Sequence, residues 1–362
     1  MQPIEDLDTP AVLIDLDRLE RNVARMAESA RAASVALRPH CKTHKLPEVA
    51  RMQLRAGASG ITLAKVGEAE VFADHGFDDV FLAYPIVGAA KARRLLALSE
   101  RMRICVGADS VLGAQTLAEV FAAADKRVEV MLKVDSGFHR AGVPPKDARA
   151  MAERLSSLPG LRLRGVFTHA GQGYHCDTGE ALQETGRHEA STLTVVAQQL
   201  RDASLACEVV SVGSTPTALH SMLPGVTETR PGTYVYYDAS EVSLGVCSLD
   251  DCALTVLATV VSVPAADRAV VDAGSKTLSS DVLRPKPGGH GWIVGQRSSL
   301  QRLSEEHGVV GVEPGESFQV GERVRIIPNH ACVVSNLHDL VYAVRKGRVE
   351  AEWPVAARGR VR

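Results

Sequence analysis

Two short stretches hold side chains whose types and spacing could do chemistry. The first is Arg38-Pro39-His40-Cys41-Lys42-Thr43-His44-Lys45, which follows the apolar start Val35-Ala36-Leu37. If the extended parity of that start persists, residues 36, 38, 40 and 42 share one face, and Lys45 falls beyond it beside the helix that Leu46-Pro47-Glu48 opens. Lys42 is then the inward lysine. Partly desolvated and flanked by Arg38 and His40, its ammonium loses a proton more readily, the property of an amine that forms a Schiff base. A solvated loop lysine is the plainer alternative. The second stretch is Pro328-Asn329-His330-Ala331-Cys332, after the strand-like Arg323-Val324-Arg325-Ile326-Ile327. On an extended chain residues i and i+2 point to one side, so the His330 imidazole and the Cys332 thiolate can bind one divalent ion. Two ligands do not complete a site, and a core cysteine beside a surface histidine is the alternative.

Such groups need elements to hold them. Short β-branched runs at 11–16, 35–39, 60–64, 79–84, 102–107, 128–134, 163–169 and 209–213 alternate with helical periods at 18–33, 46–56, 67–76 and 89–98. Eight strands separated by helices predict parallel pairing through right-handed crossovers, best matched by a closed (β/α)8 TIM-like barrel, with a doubly wound open sheet as the alternative. After about residue 240 the texture changes to alternating strands such as 253–263, 269–274, 323–328 and 340–350, separated by Gly, Pro and Asp turns. That reads as a C-terminal antiparallel β domain. The expected division is a barrel over 10–240 and a β domain over 241–362 joined by 1–9.

Composition narrows the partners. The 362 residues are 45% hydrophobic, enough for a large core, and the formal net charge is −2 without a basic stripe. Nucleic acid is therefore not an expected partner. The start MQPIEDLDTP has neither a charged n-region nor an apolar h-region, and no apolar run is long enough to cross a bilayer. A soluble cytoplasmic protein without membrane contact is expected. The seven cysteines are an odd number without framework spacing, which predicts reduced thiols.

In a barrel the chemistry gathers where strands end. The sixth expected strand ends KVDSGFHRAG, with Arg140 in a Gly-flanked loop. The seventh ends FTHAGQGYHC, with His169, Tyr174 and His175. The eighth ends SVGSTPT, where Gly213, Ser214 and Thr215 offer backbone N–H groups and hydroxyls to a phosphate. A lysine, a ring-sized histidine, an arginine and a phosphate cup are together the parts that hold pyridoxal 5′-phosphate.

DTPAVLIDLDRLERN, RPHCKTHK, KVDSGFHRAGV, GSTPT, RPGTYVYYD and PNHACVVSNLHD occur in that order over nearly the whole chain. With them the chain resembles the fold-type III pyridoxal-phosphate enzymes that include D-threonine aldolase, D-serine dehydratase and, more distantly, alanine racemase. The resemblance implies an alanine racemase-like barrel and a homodimer with active sites near the interface. It makes Lys42 the Schiff-base lysine and puts Arg140 near the cofactor's phenolic oxygen. It sets His169 against the pyridine ring and Gly213, Ser214 and Thr215 on the phosphate, with Tyr234 as an addition. Arg230 matches the group facing the pyridine nitrogen, where an arginine would keep that nitrogen unprotonated.

The resemblance also makes His330 and Cys332 metal ligands. A soft thiolate favours zinc, with manganese or magnesium as alternatives. A metal beside the β-carbon has no use in a racemase but two uses in a lyase of D-β-hydroxy amino acids, since it can help the β-hydroxyl leave or lower its pKa. His175 lies where D-threonine aldolases place the base for the β-hydroxyl, and Cys332 matches D-serine dehydratases. Retro-aldol cleavage to glycine and an aldehyde is the preferred expectation; dehydration to a 2-oxo acid and ammonia is the alternative. A non-catalytic pyridoxal-phosphate carrier is a third class, and the residues beyond the barrel count against it.

Overall fold

The computed structural model describes residues 2–282 and 289–362. The chain opens with β1 (Ala11–Asp15) and α1 (Leu16–Ala32). The alternating part then runs β2 (Ala36–Leu37), α2 (Pro47–Arg55), β3 (Ile61–Leu63), α3 (Val66–Asp74), β4 (Asp79–Pro85), α4 (Ala89–Leu98), β5 (Arg103–Ala108) and α5 (Val111–Ala123). It continues with β6 (Val128–Lys133), α6 (Ala148–Ser156), β7 (Leu161–Phe167), α7 (Gly179–Asp202), β8 (Val209–Val212), the single turn α8 (Ala218–Ser221) and β9 (Glu228–Thr229). Two of these helices start where the sequence supplies an acceptor: Ser110 Oγ takes the Gly113 N–H before α5, and the Thr178 side chain takes the Ala181 N–H before α7.

The eight strands from β2 to β9 form one parallel sheet in the order β2-β9-β8-β7-β6-β5-β4-β3. Its two ends meet. The chain just past β2 bridges β3 at His40 and Thr62, with the Cys41 N–H on the Thr62 carbonyl at 2.9 Å and the Thr62 N–H on the Pro39 carbonyl at 2.8 Å. The strands therefore make a TIM-like barrel, as expected. Its interior packs Phe81 against Phe167 edge-to-face at 5.0 Å, with Cys105 and Met131 in the same buried cluster.

The second sheet has nine strands. β10 (Leu254–Ala265), β11 (Arg268–Val271), β12 (Gly291–Ile293), β13 (Ser299–Leu303), β14 (Gly308–Gly311), β15 (Arg323–Pro328), β16 (Leu340–Arg345) and β17 (Arg348–Pro354) pair mostly antiparallel. The short helices α9 (Ala239–Ser243), α10 (Ser275–Leu278) and α11 (Ala331–Leu337) belong to the same stretch of chain. The ninth strand is β1, antiparallel to β10 and parallel to β16. This corrects the sequence expectation that 11–16 is the first barrel strand; the eighth barrel strand is instead the two-residue β9. Ala11 to Ile14 are all buried, so the run is apolar on both faces, and a central strand of a mixed sheet reads the same as a parallel barrel strand.

By compactness the chain divides into one unit of Met1–Arg25, Thr43–Glu48 and Thr233–Arg358 and another of Met26–Lys42, Val49–Gly232 and Gly359–Arg362. All seven cysteines are free thiols, as expected. Among the described residues no helix is long and apolar enough to cross a membrane.

Candidate active site

In the barrel unit, Lys42 follows the bridge that joins the strand ends and is half-buried. Its backbone N–H donates to His40 Nδ1 at 3.4 Å. The ammonium lies close enough to His40 and His169 to depress both imidazoles. His40 is held well below its usual range by burial and then by Lys42, Arg230 and His169. His169 is lowered to about 3 by burial and Lys42, with Arg140 and Arg230 acting the same way and its bond to Gly213 opposing them. His169 Nδ1 is 2.9 Å from the Gly213 carbonyl. A carbonyl only accepts, so the proton sits on Nδ1 and Nε2 carries the lone pair. The ring also meets Phe138 edge-on at 5.8 Å, and the Arg140 guanidinium covers Phe138 at 4.8 Å. Arg140 itself is exposed.

Arg230 is fully buried beneath this group. It donates to Ser211 Oγ and to the Thr168 carbonyl, and the rings of Phe81 and Phe167 lie 5.6 and 5.4 Å from its guanidinium carbon. Burial lowers its pKa to about 10 against the pull of Glu228, so the charge is kept at neutral pH. The loop after β8 passes close by: Gly213 has φ +143°, and a Cβ there would lie 2.6 Å from the Arg230 amide nitrogen. Only glycine fits this approach. Ser214 and Thr215 are buried, and Thr215 Oγ1 accepts the Gly232 N–H at 3.2 Å. Lys42, Arg140 and Arg230 thus act on one imidazole with the same sign. That cationic excess fits an anionic phosphate ester with an ionisable phenol.

One expectation about this half is corrected. Arg38 does not flank Lys42. Its guanidinium is paired with Asp79 at 2.8 Å and Glu228 at 2.7 Å.

In the other unit, His330 caps α11 and Cys332 stands in that helix's first turn. The two do not share an extended chain, as expected from their spacing, because the backbone turns helical at Ala331. They meet nonetheless: burial alone would lower the His330 pKa, but the adjacent Cys332 sulfur and the Asp281 bond carry it up to about 11. His330 Nδ1 is 2.6 Å from Asp281 Oδ2, which leaves Nε2 as the other ring nitrogen. Cys332 Sγ lies 3.2 Å from Thr43 Oγ1 and 3.7 Å from Thr233 Oγ1. The segment is pinned from several sides. Asp238 accepts the Ala331 N–H at 3.0 Å, and the Asn329 amide donates to the carbonyls of Asp281 and Gly289 at 2.8 Å each. A carboxylate behind one imidazole nitrogen is the usual support of a metal-ligating histidine, so imidazole plus thiol fits a soft divalent ion. Among the described residues no group of three or more His, Cys, Asp or Glu that could together hold a metal ion is gathered.

His175 ends the 3-10 turn Gly171–His175 and is exposed, whereas Tyr234 is fully buried in the turn Thr233–Val235. Of the loops at 272–276 and 305–308, Lys276, Glu305 and Glu306 form an exposed ion cluster, with Lys276 Nζ 2.8 Å from both carboxylates, whereas Ala273, Gly274 and Gly308 are buried. Sequence reasoning missed four groups: Lys133, Glu189, Asp238 and Asp281. Lys133 ends β6, buried, with its pKa lowered by burial and by Arg140 and Arg230. Glu189 had a legible sign, because it shares the buried stripe of α7 with Leu182, Gly186 and Leu193.

A family model described as the alanine racemase N-terminal domain matches residues 14–240, more than half of the chain. The chain belongs to that family. A second model, described as a putative serine dehydratase domain, matches residues 253–344 of this alanine racemase-family chain. The D-threo-3-hydroxyaspartate dehydratase of Delftia sp. strain HT23 is 42% identical over 90% of the chain and 91% of that protein. A D-threonine aldolase of Arthrobacter is 36% identical over 99% and 94%. A histidine-to-alanine mutant of a D-threo-3-hydroxyaspartate dehydratase superposes with a TM-score of 0.92 at 38% identity, covering 98% of this chain and 96% of that one. A cysteine-to-alanine mutant, solved in the metal-free form, gives 0.91 at 37% over 98% and 99%. Those two mutated positions are two residues apart. The expectation of an alanine racemase-like member of the D-threonine aldolase and D-serine dehydratase family is met, and with it that of a pyridoxal-phosphate lyase.

Proposed function

We propose that this enzyme is a pyridoxal-phosphate- and metal-dependent lyase of D-β-hydroxy amino acids that eliminates the β-hydroxyl, giving a 2-oxo acid and ammonia. The observation that carries this reading is the contact pair His330 and Cys332 with Asp281 behind the imidazole. A histidine and a cysteine at the same spacing are the positions mutated in the dehydratase relative, whose cysteine mutant is metal-free. When bound, the cofactor supplies an electron sink at Cα and the divalent ion, zinc by the softness of Cys332, a Lewis acid at the β-oxygen.

The chain's own residues do the rest. Lys42 would hold the cofactor's aldehyde carbon through its ε-nitrogen, and once the substrate's amino group displaces it the freed amine would take the α-proton. His169, neutral and fixed through Nδ1, would pack its ring on the pyridine. Ser214 and Thr215 would hold the phosphate where Gly213 lets the loop close on Arg230, and Tyr234 would add a further contact. Arg140 would reach the phenolic oxygen. Arg230, still charged, would face the pyridine nitrogen and exclude a proton from it. A homodimer is part of this reading.

The preferred sequence expectation, aldol cleavage, is the second reading. It rests on His175, an exposed side chain at the end of the 3-10 turn, which would take the β-hydroxyl proton. Incubating purified enzyme, pyridoxal phosphate and zinc with D-threonine separates the two. Elimination yields 2-oxobutanoate and ammonia, with L-threonine inert. Glycine and acetaldehyde as the products would replace this reading with the aldolase.

A further inference from the structure

The hydrogen bonds around the buried carboxyl of Glu189 fix its proton count. Its two oxygens have different partners. Oε1 accepts the Ala170 N–H at 3.1 Å and the Gly213 N–H at 3.0 Å, whereas Oε2 is 3.0 Å from Thr217 Oγ1. Thr217 Oγ1 is in turn 2.9 Å from Ser214 Oγ, and Ser214 Oγ is 3.3 Å from the Ala170 carbonyl oxygen. Ser214 and Thr217 each carry a single hydroxyl proton, and Glu189, Ala170, Ser214 and Thr217 are all buried.

A carbonyl oxygen only accepts, so the single hydroxyl proton of Ser214 is committed to Ala170. The Ser214–Thr217 bond must then use the single hydroxyl proton of Thr217. The last bond, between Thr217 and Glu189 Oε2, has a proton only if the carboxyl supplies it. An ionised Glu189 would leave three contacts to share two protons. The surroundings agree. Burial raises the Glu189 pKa, the direction of the neutral form, against the Gly213 and Ala170 amides and Arg230, the charged neighbour from the segment after β9.

We propose that Glu189 is a neutral carboxylic acid whose Oε2–H heads a one-way relay through Thr217 to Ser214, and that Ser214 turns its hydroxyl from the Ala170 carbonyl to a phosphate oxygen when the cofactor binds. No covalent bond changes; one hydrogen bond is exchanged for another. The inference rests on the reading that Ser214 and Thr215 take the cofactor's phosphate. It gives that cup a donor aimed at the ligand and keeps a full negative charge away from a dianion. An ionised Glu189 would reverse both hydroxyls and turn the Ser214 lone pairs on the phosphate oxygens, acceptor against acceptor. Glu189 is thus a positioning residue that sets the polarity of the cup.

The test titrates pyridoxal phosphate into full-length apoenzyme and reads the visible band. Glu189→Gln copies the neutral acid, with a carbonyl for Oε1 and an N–H donor for Oε2, so its affinity stays within about threefold of wild type. Thr217→Val cuts the relay and weakens binding by about tenfold or more, the scale of a lost hydrogen bond to a charged group, and Thr217→Ser restores it. Infrared spectra of wild-type enzyme carry a protonated-carboxyl carbonyl stretch that Glu189→Gln lacks. A larger affinity change in Glu189→Gln in either direction, unimpaired binding by Thr217→Val, or no such infrared difference overturns the proposal. Should Glu189→Gln fail to fold, the Thr217 pair decides. Wild-type apoenzyme that takes up no pyridoxal phosphate at all sinks the functional reading instead, while the infrared band still reports the proton.

Discussion

Lys42 and Lys45 stand three positions apart and meet different physics. Lys42 is half-buried beside two depressed imidazoles. Lys45 is buried in a left-handed backbone conformation, φ 56°, with its Nζ 3.5 Å from the Ala357 carbonyl and its own carbonyl taking the Ala357 N–H at 3.2 Å. Lys42→Ala should therefore abolish the violet-edge absorbance of the bound cofactor. Lys45→Ala should keep that band and lower stability by about 1–3 kcal/mol, the cost of a lost buried hydrogen bond, read from denaturant midpoints. A coloured Lys42→Ala protein would remove Lys42 from its assigned role. At this scale the sequence was legible where geometry is local. Parity favoured Lys42, yet the extended chain ends at His40 and residues 41–44 form a turn; the partner of a charge is likewise a long-range fact. Arg38 was read as a neighbour of Lys42 because its partners, Asp79 and Glu228, lie 41 and 190 residues away in sequence. Glu189 was passed over for the same reason, since the amides it receives come from two distant loops.

Among the elements, α11 shows what spacing conveys and what it hides. His-x-Cys was read on an extended chain, yet the helix begins between the two residues, and contact survives because His330 is the capping position and Cys332 lies in the first turn. The pair is held from behind by Asp281, 49 residues upstream, which no local pattern announces. Removing such a support generally costs 10–100-fold in metal affinity. Asp281→Ala should show a loss of about that size in a competitive zinc titration, with the cofactor's colour unchanged. Chelation of wild-type enzyme should likewise abolish turnover and spare the colour. Full activity after exhaustive chelation, with no metal detectable, would dismiss the metal role.

For the molecule as a whole, the number of barrel strands was legible and their membership was not. β3 to β8 were marked within a residue or two, because each is a short apolar run bounded by turn residues and set between helices whose buried face leaves a period. β9 has two residues and no period to read. β1 has a strong pattern, but burial on both faces makes it equally fit for either sheet. In the nine-stranded sheet it lies between β10 and β16, so truncating a side chain there should unsettle both. Ile14→Ala, at a position with 0% exposure, should cost about 2–5 kcal/mol in urea unfolding. A loss under about 0.5 kcal/mol would show that β1 is not a structural strand.

The junction of Pro39, His40 and Cys41 with Thr62 has a further meaning. It is the last gap in the ring of strands, and Lys42 is the next residue along. On the reading in which Lys42 carries the cofactor, the bridge that completes the ring also sets where the Lys42 segment begins, and a yellow solution would report closure as much as binding.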